Sequence, residues 1–148
     1  MKVTQVNKPF SQQHYDEDDN AKYQIMAWLE TKGHKCRINP DRYGIDILAE
    51  RWGKQFQFEV EVKHNWSGRL FPFQTVHFSA RKRKFITVDC ESWFVMLNNE
   101  RSHALFILDD HVLASPVVWK DTKYSQNEAF VEVDVQHGIF RNLNEEVK

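Results

Sequence analysis

From Gln55 to Lys63 the chain alternates strictly, Gln-Phe-Gln-Phe-Glu-Val-Glu-Val-Lys. Phe56, Phe58, Val60 and Val62 fall on one side of a strand, and Gln57, Glu59, Glu61 and Lys63 on the other. A second alternating stretch lies upstream, with Ile45 and Ile47 on one side and Asp46 and Leu48 on the other. The polar break Arg51-Trp52-Gly53-Lys54 between them predicts a hairpin. Asp46 and Glu61 can then meet on adjacent strands, with Lys63 two residues further along the same face.

Around this hairpin the pattern changes period. Ala21, Ile25, Trp28 and Leu29, flanked by Met26, recur at helical spacing and predict a helix from about Asp16 or Glu17 to Lys32, stopped by Gly33. Lys35 to Asn39 reads as a short strand. The segment 65–75 is a loop with Gly68 and Pro72 whose Trp66, Phe71 and Phe73 are expected to tuck under the core. Thr75 to Phe78 is strand-like, and Ser79 can cap a helix over Ala80 to about Thr87. Trp93–Leu97 and Ala104–Leu108 are continuous apolar runs, suited to strands buried on both faces, with a turn at 98–102. Asp109-Asp110-His111 reads as a turn ending a strand, 112–118 as a connector broken by Pro116, and Ala129–Val135 as a late edge strand. Residues 1–14 are expected to form an arm and 142–148 a frayed tail.

Composition narrows the class. The 148 residues are 41% hydrophobic and 14% aromatic, enough for one domain over 1–148 with a single core and no disulfide or metal staple. No run of about 18 apolar residues marks a membrane span, and the start lacks a secretory apolar region. Cys36 and Cys90 are too few for a disulfide framework, so a cytoplasmic protein with reduced thiols is expected. A net charge of −1 means that any nucleic acid must be held by local cations. The densest cluster is Arg81-Lys82-Arg83-Lys84, with Arg69 on the approach to it.

Two carboxylates and a lysine on one strand face are a candidate site. Mg²⁺ takes oxygen ligands and is commonly held by one or two carboxylates together with phosphate oxygens. An ammonium beside it can position an attacking water or offset developing charge. The ordinary alternative is a solvated cross-strand Glu/Lys pairing, the usual place for such residues.

With Asp46 for the aspartate and Glu61-Val62-Lys63 for the Glu-x-Lys, the chain resembles the PD-(D/E)XK nuclease superfamily over about residues 16 to 64. The likeness is nearest to the small endonuclease domains of Holliday-junction resolvases and restriction-like enzymes. Ile45 stands where the family has proline; the literal Pro40-Asp41 lies in a turn-like stretch, which leaves Asp41 as the fallback. The resemblance implies a restriction endonuclease-like α/β core, a mixed central sheet with helices on its faces. It implies Mg²⁺- or Mn²⁺-dependent hydrolysis of DNA phosphodiesters of junction-resolving, restriction or homing type. Asp46 and Glu61 would hold the metal, Lys63 would assist the water, and Glu59 would join a second shell or second ion. Cutting both strands takes two sites, hence a homodimer or higher homo-oligomer, with the aromatic segments as candidate interface. The family also places an acidic residue on the preceding helix facing the metal. The corresponding position here is near Lys22, which cannot ligate, leaving Asp18, along the apolar stripe, or Asp19, a quarter turn away, or neither, both then only complementing the helix dipole. Arg69 and Arg81 to Lys84 are the candidate DNA contacts. The rival readings are a non-catalytic DNA-binding or assembly module on the same fold, and a ligand-binding α/β domain. No glycine-rich phosphate loop is present.

Overall fold

The computed structural model describes residues 12–144, with side chains from residue 19 onward. Residues 1–11 and 145–148 lie outside it, as does the side chain of Asp18, while residues 12–14 of the segment expected to form an arm belong to the first helix, which starts earlier than expected.

Helix α1 (Gln12–Thr31) is followed by β1 (Lys35–Ile38), β2 (Ile47–Arg51) and β3 (Lys54–Val62). Then come β4 (Thr75–Ser79), a 3₁₀ turn (Ala80–Phe85), β5 (Glu91–Leu97), β6 (His103–Leu108) and the short helix α2 (Asp109–Ala114). The chain closes with β7 (Val117–Lys120), β8 (Glu128–Asp134) and β9 (Ile139–Asn142). Six strands form a mixed sheet in the order β1-β2-β3-β5-β6-β9; β4, β8 and β7 form a second sheet in that order. The β3–β5 pairing is parallel and every other pairing antiparallel. A parallel pair cannot be joined by a tight turn. Here the crossover is built from the 65–74 loop, β4 and the 3₁₀ turn, and this carries the basic segment over one face of β3.

Apolar periodicity places the central sheet. Ala21, Ile25 and Leu29 of α1 pack on Ile47, Phe58, Val60 and Val95, among others, forming one core. On the opposite face Phe94, Met96, Leu105 and Ile107 pack on Val76 and Phe78 of β4 and Val131 and Val133 of β8. Strands β5 and β6 are therefore covered on both sides, as their unbroken apolar runs require. The hairpin turn is Trp52-Gly53, both in the left-handed region at φ 53° and 75°. Two successive positive φ values suit the right-handed twist of the flanking strands.

Several expectations are corrected. Segment 129–135 is the central strand of the small sheet, not an edge, because β4 and β7 both pair with it. Asp109-Asp110-His111 opens α2 instead of ending in a turn, with Asp109 Oδ2 accepting the Ser92 amide at 2.9 Å. The connector at 112–118 divides into the end of α2 and the start of β7. The helix expected over 80–87 is a 3₁₀ turn of six residues, capped as expected by Ser79, whose hydroxyl accepts from the Arg81 amide. Trp66 is fully buried, whereas Phe73 is 49% exposed, so the aromatic loop is only partly tucked in. Asn142 ends β9, inside the segment expected to fray. Among the described residues no helix is long and apolar enough to cross a membrane.

Candidate active site

The site lies on the charged face of β3, where β2 begins and where β4 and the 3₁₀ turn cross above. It starts with a stitched loop. Asn39 Nδ2 donates to the Ile45 carbonyl at 2.9 Å, and the Asn39 amide to the Asp46 carbonyl at 3.0 Å. Asn39 Oδ1 accepts the Asp41 amide, while Asp41 Oδ1 accepts the Tyr43 amide, both at 3.0 Å. A Cβ on Gly44 would stand 2.5 Å from Asn39 Nδ2, so a side chain there would push on the amide that holds the Ile45 carbonyl. Asp41 serves its own turn and is exposed, while Asp46 is carried to the start of β2.

Register then fixes the neighbours. Ile47 pairs with Phe58, which sets Asp46 across from Glu59 and not Glu61. The Asp46 amide donates to Glu59 Oε1 at 3.2 Å, and Asp46 Oδ2 accepts the Val60 amide at 2.8 Å. Glu61, two residues on, projects from the same face, and Lys63 Nζ donates to Glu61 Oε2 at 2.7 Å. Lys63 also donates to the His77 carbonyl of β4, so the small sheet orients the lysine. His77 is held in turn: Nε2 lies 2.8 Å from Glu132 Oε2 on β8 and Nδ1 3.0 Å from Lys120 Nζ on β7.

Two further lysines complete the cluster. Lys22 Nζ of α1 lies 3.2 Å from Asp46 Oδ1 and 3.7 Å from Asp19. Lys82 Nζ bridges Glu59 Oε2 at 3.3 Å and Glu61 Oε1 at 3.1 Å. Lys82 is thus turned inward, unlike its neighbours in the basic segment. A 3₁₀ turn eclipses residues three apart. Lys82 and the half-buried Phe85 consequently face β3, with the Phe85 carbonyl accepting from Gln57, while Arg81 and Lys84 share an exposed side. Arg83 is half-buried and Arg69 lies exposed on the aromatic loop.

The electrostatics follow from burial and pairing. Burial alone would raise the Glu61 carboxyl, but Lys82 and then Lys63 overcome it and hold it at about 2. Burial pushes Glu59 up to about 7; Lys82 pulls against this and the charge of Asp46 adds to it. Burial opposes the charge on Lys82, yet Glu61 and Glu59 outweigh it and raise the ammonium above its ordinary range. Lys22 is raised likewise, with Asp46 overcoming burial. The outcome is three carboxylates and three ammonium groups at one end of β3.

Of the residues expected from sequence, Asp46, Glu61 and Lys63 come together. Asp19 touches the cluster only through Lys22. Among the described residues no group of three or more Asp, Glu, His or Cys is arranged to hold a metal ion; the Lys82 nitrogen sits between Glu59 and Glu61, and that of Lys22 sits on Asp46. The ligand atoms present are nonetheless carboxylate oxygens alone, which suit a hard divalent cation in place of an ammonium. Sequence reasoning did not find the His77 carbonyl or the inward turn of Lys82. The first carries no side-chain signal, while the second follows from a three-residue period once the turn is known to be 3₁₀.

Neither a family model nor a curated protein matches this sequence. The fold is similar to that of the Holliday junction resolvase Hjc from Archaeoglobus fulgidus, an archaeal hyperthermophile. The TM-score is 0.57 at 11% identity, over 83% of this chain and 90% of that one. What the two have in common at that identity is the fold, a restriction endonuclease-like α/β core built on a mixed central sheet.

Proposed function

We propose that the chain is a divalent-metal-dependent nuclease acting on DNA phosphodiesters, with its centre at Asp46, Glu59, Glu61 and Lys63. The observation that carries this reading is the convergence of three carboxylates and an oriented lysine at one strand end, on a fold similar to that of a solved resolvase. Asp46 and Glu61 would hold Mg²⁺ or Mn²⁺, with Glu59 beside them. When bound, such an ion supplies Lewis-acid charge to a phosphoryl oxygen and a water of lowered pKa. The chain's own contribution is position. Asp46 is fixed by the Val60 amide, and Lys63 by Glu61 and the His77 carbonyl, so the ammonium lies beside the carboxylates before substrate arrives. There it orients a nucleophilic water and offsets charge developing on the phosphate.

DNA would lie along the exposed side of the 3₁₀ turn, on Arg81 and Lys84, with Arg69 at one end. Cleavage of both strands would require a second copy of the site, hence a homodimer or higher homo-oligomer. The experiment is a panel of supercoiled plasmid, linear duplex, single strand and four-way junction, each with Mg²⁺, Mn²⁺ or EDTA. Cleavage with either ion and none in EDTA supports the reading, and the best substrate names the type. Cleavage that persists in EDTA overturns it.

One observation favours the second reading, a non-catalytic DNA-binding or assembly module. Every carboxylate of the cluster is paired with a lysine, as in a structural ion network. Such a module would bind DNA and cut none of the panel.

A further inference from the structure

Lys22 and Lys82 stand where a cation would have to enter. The Lys22 ammonium lies 3.2 Å from Asp46, and that of Lys82 3.3 Å from Glu59 and 3.1 Å from Glu61. Lysines on a protein surface usually extend their heads into water. Here both heads fold inward, although neither is needed to anchor its element. Helix α1 is held by Ala21, Ile25 and Leu29, and the 3₁₀ turn by the Phe85 carbonyl on Gln57 and by Ile86 against the second core.

We propose that Lys22 and Lys82 are resident counter-cations that a divalent ion must displace, and that the phosphates of bound DNA draw them off. The inference rests on the nuclease reading above and concerns how that same site is loaded. Without metal the lysines neutralise carboxylates that would otherwise repel one another. Lys82 belongs to the turn whose Arg81 and Lys84 point outward, so a change of side-chain rotamer carries its Nζ from Glu59 and Glu61 towards a phosphate on those neighbours. Lys22, on the other flank, leaves Asp46 in the same sense. Metal and DNA then favour each other: DNA clears the carboxylates, and the metal releases the lysines for DNA. Metal alone binds weakly, and the site is armed only when substrate is present.

The test is Mn²⁺ binding without DNA, measured by calorimetry or by loss of the free-ion EPR signal. The proteins are wild type, Lys22→Met, Lys82→Met and, as a control, Lys84→Met, each checked for folding by thermal melting. Both site variants should bind Mn²⁺ at least about tenfold more tightly, the lower end of what one neighbouring charge does to proton binding. Lys84→Met should stay within about twofold, its charge being screened by solvent. A non-hydrolysable duplex should tighten Mn²⁺ binding more in wild type than in either variant. Unchanged or weaker binding in folded Lys22→Met and Lys82→Met overturns the inference. So does an equal gain in all three variants, which would reflect net charge and not displacement. If Lys82→Met does not fold, Lys22→Met decides. Wild-type Mn²⁺ binding that Asp46→Asn abolishes, with no gain in the lysine variants, removes the displacement and leaves the nuclease reading standing. No Mn²⁺ binding in wild type or in either lysine variant, with or without the duplex, removes both.

Discussion

The two faces of β3 are made by the same nine residues and do opposite work. On one, Phe56, Phe58, Val60 and Val62 are at most 7% exposed and pack into the core beneath α1. On the other, Gln57, Glu59, Glu61 and, one residue beyond the strand, Lys63 are also largely covered, by β4 and the 3₁₀ turn. A covered apolar face stabilises the fold in proportion to the area it removes from water. A covered charged face costs desolvation, which pairing only partly offsets. Stability alone would have placed apolar side chains there, as on β5, where Phe94 and Met96 pair with Glu59 and Glu61. Carboxylates and lysines held in that position make the charged face the region to read for function.

This contrast can be broken directly. Truncating the apolar face should damage folding: Phe58→Ala should lower stability by about 3–5 kcal/mol, read from denaturant unfolding. Truncating the charged face should damage chemistry. Lys63→Ala should reduce turnover by about 10²–10⁴-fold, the range of a positioned proton-handling group, with a far smaller change in melting temperature than Phe58→Ala. If Lys63→Ala unfolds the protein as Phe58→Ala does, the two faces are both structural and the distinction fails.

A smaller effect sharpens the apolar side. His34 is buried and packs edge-on against Phe56 and Phe58, with ring centroids 4.9 and 5.9 Å away. Burial, then the charge of Arg51, lowers its pKa below the ordinary 6.5. The neutral ring is therefore favoured in the folded state, and the unfolded chain binds the extra proton first. The contribution of His34 is complete above about pH 6.5 and is lost as pH falls through that value towards the folded pKa. His34→Leu should flatten the loss of stability between about pH 7 and pH 5 relative to wild type. Parallel unfolding curves for the two proteins would show that the ring carries no such penalty.

The smallest effect concerns the exposed cations. Replacing Arg81 and Lys84 together by Ala should weaken DNA binding about equally for all sequences. It should also make the slope of log K against log salt shallower by about one to two units, near 0.9 per phosphate contact. Lys82→Ala alone should alter the slope less in the metal-free protein, because its ammonium is turned to Glu59 and Glu61. An unchanged slope in the double variant would place the DNA elsewhere.

How much was legible in the sequence depended on how local each cause was. The alternation of 55–63, the Gly53 hairpin, the stop at Gly33 and the doubly buried runs of β5 and β6 were all readable, because each follows from neighbouring residues. The partner of Asp46 was harder. Counting across the hairpin put Glu61 in reach, whereas the observed register puts Glu59 opposite, a difference set by the tight Trp52-Gly53 turn. The central place of β8 was hidden because its partners β4 and β7 lie far away or across a loop, and pattern alone cannot rank strands in a sheet. The inward turn of Lys82 was hidden because four consecutive cations spread evenly around an α-helix but not around a 3₁₀ turn.

The central claim is that the cluster at the start of β2 and the end of β3 is a metal-dependent phosphodiesterase centre built on Asp46. Its most direct test is nicking or linearisation of supercoiled plasmid, and cleavage of a four-way junction, by wild type, Asp46→Asn and Asp41→Asn. The three are compared at equal folded concentration in Mg²⁺ and in EDTA. The account predicts metal-dependent cleavage by wild type and by Asp41→Asn, whose carboxylate serves only its own turn, and none by Asp46→Asn. Equal cleavage by wild type and Asp46→Asn, or loss with Asp41→Asn in place of Asp46→Asn, would contradict it.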